Sequence, residues 1–230
     1  LQMGYADVVV SGGTESVMSP VGMAGFQNMT ALSSSGQSKP FDKDRDGFMM
    51  TEGSATLVLE EMSSAQSRGA NIYGEVLGSG STADAHHITA PAPGGDGALR
   101  CMQLAIEDSG LASTDIASVN AHGTSTPLND AAEAEALSKL FGEDGPPVTS
   151  TKGVTGHALG AAGAIEATAV LLSFLHKQIP PTAGFVNRDP EMAGFNIVTG
   201  SGLEWEPGPS MSNSFGFGGH NGSIVLAPVN

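Results

Sequence analysis

Apolar residues in this chain fall into short β-branched runs and helically spaced stripes, separated by turns rich in glycine and threonine. Residues 7–11 and 56–60 are valine-, leucine- and threonine-containing runs, the pattern of strands covered on both faces, and the first is expected to end in a turn at 12–15. A short helix is expected over 63–68 and a strand over 72–78. Over 98–109 the spacing turns helical, with Leu99, Met102, Ala105 and Ile106 on one face and Gly110 as the stop. Further strands are expected at 118–120, 148–151, 196–199 and 223–227, and helices over 130–141, closed by Gly142, and from 158 to 175. Strand, turn and helix alternate throughout, which predicts an α/β fold with covered sheets.

The 158–175 stretch is apolar but rich in Ala and Gly and interrupted by Glu166, so it is expected to be a buried helix and not a membrane span. A hydrophobic content of 40% over 230 residues, with only 14% charged, supports a globular core. The 24 acidic residues against 9 basic ones give a net charge of -15, which disfavours nucleic acid and anionic membranes as partners. Lys39, Lys43, Arg45, Arg68 and Arg100 are the cations available to an acidic partner. The single cysteine, Cys101, rules out an internal disulfide and points to a reducing cytoplasm, and nothing near it in sequence would lower its pKa. No basic segment followed by an apolar one opens the chain, and Leu1 in place of methionine leads us to expect a fragment or a processed product. The long segment between the first two strands, with its serines at 33–38, is expected to be functional or part of an interface.

Chemistry concentrates in the turns. His122 lies in Asn120-Ala121-His122-Gly123-Thr124-Ser125-Thr126, and His157 ends Lys152-Gly153-Val154-Thr155-Gly156-His157, just ahead of a helix start. Taken alone, His122 reads as a hydrogen-bonded strand end; a helix N-terminus beside His157 favours a neutral ring able to donate to a developing oxyanion. Neither histidine has the spacing of a zinc motif, and His86-His87, His176 and His220 read as loop, helix-end and surface residues. Asp130 and Glu133 have the spacing of an N-cap and its reaching acid. Glu166, an acid in an apolar helix, needs a partner; Lys152 is the candidate, in a buried ion pair expected to orient His157.

These turns, together with Asn213-Ser214-Phe215-Gly216-Phe217-Gly218-Gly219-His220-Asn221, residues 6–15, residues 40–52 and Asp84-Ala85-His86-His87, resemble type II β-ketoacyl-acyl carrier protein synthases along the whole chain. The resemblance implies a thiolase-like α-β-α-β-α layered sandwich with its first half incomplete: residues 1–62 as the end of the N-terminal half and 63–230 as the C-terminal half. It implies an acyltransferase of fatty acid biosynthesis that condenses an acyl thioester with malonyl-acyl carrier protein, cytoplasmic, homodimeric and without metal or redox cofactor. The family's nucleophilic cysteine would lie ahead of Leu1, so this chain alone is expected to be inactive and poorly soluble. By the resemblance His122 and His157 stabilise the enolate, Lys152 tunes the pair with Glu166 in support, and Phe215 supplies an oxyanion-hole N–H and gates the acyl channel. Thr124 and Thr126 would hold the phosphopantetheine arm, with Gly216 and Phe217 also binding substrate or pantetheine, and Gly216, Gly218 and Gly219 would let the loop move. Thr51 and Ser54 depart from the family's Gly-Phe-x-Met-Gly-Glu-Gly pattern and are expected to touch no catalytic group. Type III synthases, which pair His with Asn, and thiolases, which carry a second cysteine near the last glycine loop, fit less well. A non-catalytic, chain-length-factor-like partner and a polyketide ketosynthase remain as alternatives.

Overall fold

The computed structural model describes residues 1–229. In chain order its elements are β1 (Val8–Glu15), α1 (Pro20–Asn28), β2 (Gly53–Glu60), α2 (Met62–Ser67), β3 (Glu75–Ala83), α3 (Asp96–Ser109), β4 (Ser118–Asn120), α4 (Pro127–Phe141), β5 (Val148–Thr149), α5 (Lys152–Thr155), α6 (Ala162–His176), β6 (Gln178–Ile179), β7 (Leu203–Glu204), β8 (Ser210–Gly216) and β9 (His220–Ala227). Five strands form one sheet in the order β3-β9-β8-β4-β5. β9 runs antiparallel to both β3 and β8, whereas β8, β4 and β5 are mutually parallel. β1 and β2 form a separate antiparallel pair in which Val10 faces Val58.

The period-2 alternation of β9 shows how the layers stack. Val225 points into a cluster with Met102, Ala105, Leu137, Val119 and Met211, whereas Leu226 and the partly buried Ile224 join Ala167, Val170 and Phe174. α3 and α4 therefore cover one face of the sheet and α6 the other, and the far side of α6 rests on β1 and β2. Trp205 closes the second cluster, its ring 6.3 Å from that of Phe174. α3 can approach β3 because Gly80 lacks a side chain: a Cβ there would meet the Ala105 backbone nitrogen at 2.8 Å.

Several expectations change. β1 runs on through Gly12 and Gly13 where a turn was expected, because glycine lets β2 and the 159–161 turn come close; a Cβ on Gly13 would lie 2.9 Å from Ala161 Cα. β1 is also not covered on both faces, with Val8 and Val10 exposed. β3 starts at Glu75, later than expected, and Ile197 forms only a single bridge with Val148 instead of a strand. α4 starts at Pro127, so Asp130 lies inside the helix and caps nothing. The 158–175 helix divides into the one-turn 3-10 helix Leu159–Ala161 and α6. α1 and the strands β6 to β8 had no clear apolar signal.

Candidate active site

Because β4, β5 and β8 are parallel, their carboxyl ends open on one edge of the sheet, where α/β proteins place ligands. β4 leads into His122, β5 into the Lys152–His157 turn, and β8 ends at Phe215 and Gly216. A cavity of about 450 Å³ lies there, walled in part by His122, His157, Thr124, Thr126, Phe215, Gly216 and Phe217.

The two imidazoles meet edge to face, with ring centroids 5.3 Å apart. Phe215 lies 6.1 Å from the His122 ring, and Phe48 packs edge-on against His157 at 5.2 Å. The Lys152 and Glu166 side chains are almost wholly buried and form an ion pair. The expected direction of that pair is corrected: Lys152 Nζ donates to His122 Nδ1 at 3.2 Å and so orients His122 in place of His157. With Nδ1 accepting, the His122 hydrogen resides on Nε2, leaving that atom as a donor. Burial, then the charge of Lys152, then His157, hold His122 far below the usual imidazole range. Burial followed by Lys152 pushes His157 down to about 3. The neutrality expected from a helix N-terminus thus comes mainly from desolvation. Burial raises the Glu166 carboxyl, against the pull of Lys152.

Two carboxylates that the sequence suggested as capping groups instead build the His122 turn. Glu133 accepts the N–H groups of His122 and Gly123, both at 2.8 Å, and Asn213 Nδ2 at 3.2 Å, which ties β8 to the same turn. Asp130 accepts from the Ser125 and Phe41 amides at 3.1 and 2.8 Å. Burial raises both acids, Glu133 to about 7, against the hydrogen bonds they accept. Their i, i+3 spacing on a helix entered directly from the turn was the available signal, and it has the same form as a capping box.

The hydroxyls of Thr124 and Thr126 lie 2.9 Å apart at the cavity wall, and Phe217 is 45% exposed at its mouth. The Thr51 amide donates to the backbone carbonyl of His157 at 3.1 Å, while Ser54 pairs with Thr14 across β1 and β2. Cys101 is buried, its Sγ donating to Gly80 O at 3.2 Å, and desolvation pushes its thiol up. His87 Nδ1 accepts two loop amides, His176 ends α6, and His220 is exposed at the start of β9. Of the cations expected to meet a partner, Arg45 pairs with Asp189 and Arg68 with Glu60.

A mixed sheet between helical layers, with two neutral histidines and a buried lysine at the ends of parallel strands, defines a thiolase-like condensing-enzyme fold. The chain belongs to the β-ketoacyl synthase family: the N-terminal domain of that family matches residues 1–65 and the C-terminal domain residues 73–186. It is 47% identical to a 3-oxoacyl-[acyl-carrier-protein] synthase 2 of Synechocystis over 98% of this chain and 56% of that protein. A Staphylococcus aureus protein of the same name is 46% identical over 98% of this chain and 57% of its own length. The chain thus spans little more than half the length of these relatives. Among solved structures, a β-ketoacyl synthase from Burkholderia phymatum superimposes with a TM-score of 0.95 at 38% identity, over all of this chain and 56% of that one. A type II polyketide ketosynthase bound to its acyl-carrier protein and a hexaketide has a TM-score of 0.95 at 33% identity, over 99% of this chain and 58% of that one.

Proposed function

We propose that the protein carrying this chain is a 3-oxoacyl-acyl carrier protein synthase of fatty acid biosynthesis, an acyltransferase working with acyl carrier protein as a cytoplasmic homodimer. The neutral His122–His157 pair, with Lys152 on His122 Nδ1, is the observation that carries this reading. In the proposed reaction the malonyl C–C bond breaks, carbon dioxide leaves, and the electron pair delocalises onto the thioester oxygen. His122 Nε2–H and the His157 ring donate to that oxygen, and neutral donors suit a developing enolate because they need no proton release. The carbanion then attacks an acyl thioester held on a cysteine and expels the thiolate. Cys101, buried beneath β3, cannot serve, so the nucleophile on this reading lies outside residues 1–230, which are inactive by themselves. The Phe215 main chain provides one oxyanion donor and its ring the gate, Gly216, Gly218 and Gly219 let the loop move, and Thr124, Thr126, Gly216 and Phe217 bind the substrate and its phosphopantetheine arm. Glu166, its buried ion-pair partner, holds Lys152 in place. We read residues 1–62 and 63–230 as parts of two thiolase-like halves.

The buried Cys101 also fits a second reading, a non-catalytic partner of an active synthase. Carbon dioxide release from malonyl-acyl carrier protein separates the two. The protein carrying this chain should decarboxylate, and His157→Ala or His122→Ala should slow it about 100-fold or more, as loss of an oxyanion donor does. Absence of decarboxylation in the unaltered, folded protein replaces the synthase reading with the partner reading.

A further inference from the structure

The segment from Phe48 to Thr51 runs alongside the turn that carries His157. His157 N–H donates to Met49 O at 2.7 Å, and Thr51 N–H donates to His157 O at 3.1 Å. The Thr51 side chain adds a third link, Oγ1 donating to Thr155 O at 2.9 Å. Thr155 is the last residue of α5, where backbone carbonyls lack helical partners, and the Thr51 hydroxyl supplies one. Gly156, at φ +66°, makes the approach possible, since a Cβ there would meet Met49 O at 2.9 Å and also strike the Thr51 methyl. His157 has particular need of such support. Its Nδ1 is buried with no hydrogen-bond partner among the described residues, unlike His122, whose Nδ1 is held by Lys152. The aim of the His157 ring is left to its backbone and to packing against the rings of Phe48 and His122.

We propose that Thr51 is a positioning residue whose hydroxyl locks the His157 turn. This rests on the function proposed above. Thr51 does not line the cavity and touches no reacting atom; it acts by narrowing the range of His157 orientations.

The test compares Thr51→Val, which keeps the shape but removes the donor, with Thr51→Ser, which keeps the donor, in the protein carrying this chain. Thr51→Val should lower kcat for malonyl decarboxylation about 2- to 10-fold, the equivalent of one hydrogen bond, with KM changing less than twofold. Amide exchange at His157 should quicken by a similar factor. Thr51→Ser should match the unaltered protein in both. Equal rates and exchange for Thr51→Val and the unaltered protein, or equal losses in both variants, overturn the proposal. If Thr51→Val does not fold, Thr51→Ala takes its place on the same criteria. A folded but inactive unaltered protein overturns the synthase reading, and the exchange comparison then decides the part played by Thr51.

Discussion

At the scale of single residues, the site depends on imidazoles that stay neutral in a place where water could charge them. His157 has a folded pKa of about 3 against roughly 6.5 in an unfolded chain. Between those values the unfolded state binds a proton that the folded state refuses, so stability falls as pH drops from 6.5 towards 3 and is insensitive to this group above that range. Relative to His157→Gln, the unaltered protein should lose at most about 1.4 kcal/mol per pH unit through that window. The His157 ring should show no NMR titration between about pH 5 and 8; a midpoint near the ordinary imidazole value would refute the desolvation argument. His122, His157 and Lys152 stood out in the sequence through the resemblance of their turns to the synthase family, since His122 taken alone reads as a hydrogen-bonded strand end. Glu133 did not, since a helix-capping acid and a buried acid holding the preceding turn have the same spacing. The pairing of Lys152 with Glu166 was legible, but the choice between two nearby histidines depends on a side-chain direction that no spacing encodes.

Among the elements, β8 decides where the site lies, and it is the strand least visible in the sequence. Ser210, Met211, Ser212 and Asn213 are buried, yet only Met211 is apolar. Two of these polar members are satisfied internally: Ser118 Oγ donates to Ser210 Oγ, and Ser223 Oγ donates to Asn213 Oδ1, both at 2.8 Å. A strand that pairs its polar atoms in this way shows no hydrophobic alternation. α3 gave the opposite case, its apolar stripe and Gly110 marking the helix correctly, with Gly110 in the left-handed conformation at φ +71°. The contact between α3 and β3 relies on Gly80, whose missing Cβ leaves room for the Cys101 carbonyl and the Ala105 amide. Gly80→Ala should force the layers apart at a cost of about 1–3 kcal/mol, read from the denaturant midpoint at unchanged slope. An unshifted midpoint would mean that the interface yields more readily than a packed core.

For the whole molecule, the net charge of -15 keeps copies apart, while one face of the β1–β2 pair invites association. Val10 and Val58 are directly opposed and 68% and 65% exposed, with Val8 on the same face at 51% and Tyr5 nearby in sequence at 92%. Charge repulsion is screened beyond about 8 Å at physiological salt, so contact between apolar strands prevails at short range. Residues 1–230 expressed alone should self-associate at micromolar concentration, and Val10→Lys with Val58→Lys should restore a single species by light scattering. A monodisperse, cooperatively melting unaltered chain would overturn this. The α/β class was readable from alternation and its layering from the family resemblance, but the exposure of β1 was not, because a valine run looks the same whether or not anything covers it. The lone indole of this chain, Trp205, packs at a tilt against Phe174 of α6 and lies outside the cavity wall. Its emission is therefore a built-in gauge of whether the α6 layer is assembled, blind to what fills the cavity, so folding and occupancy can be followed in the same cuvette by separate signals.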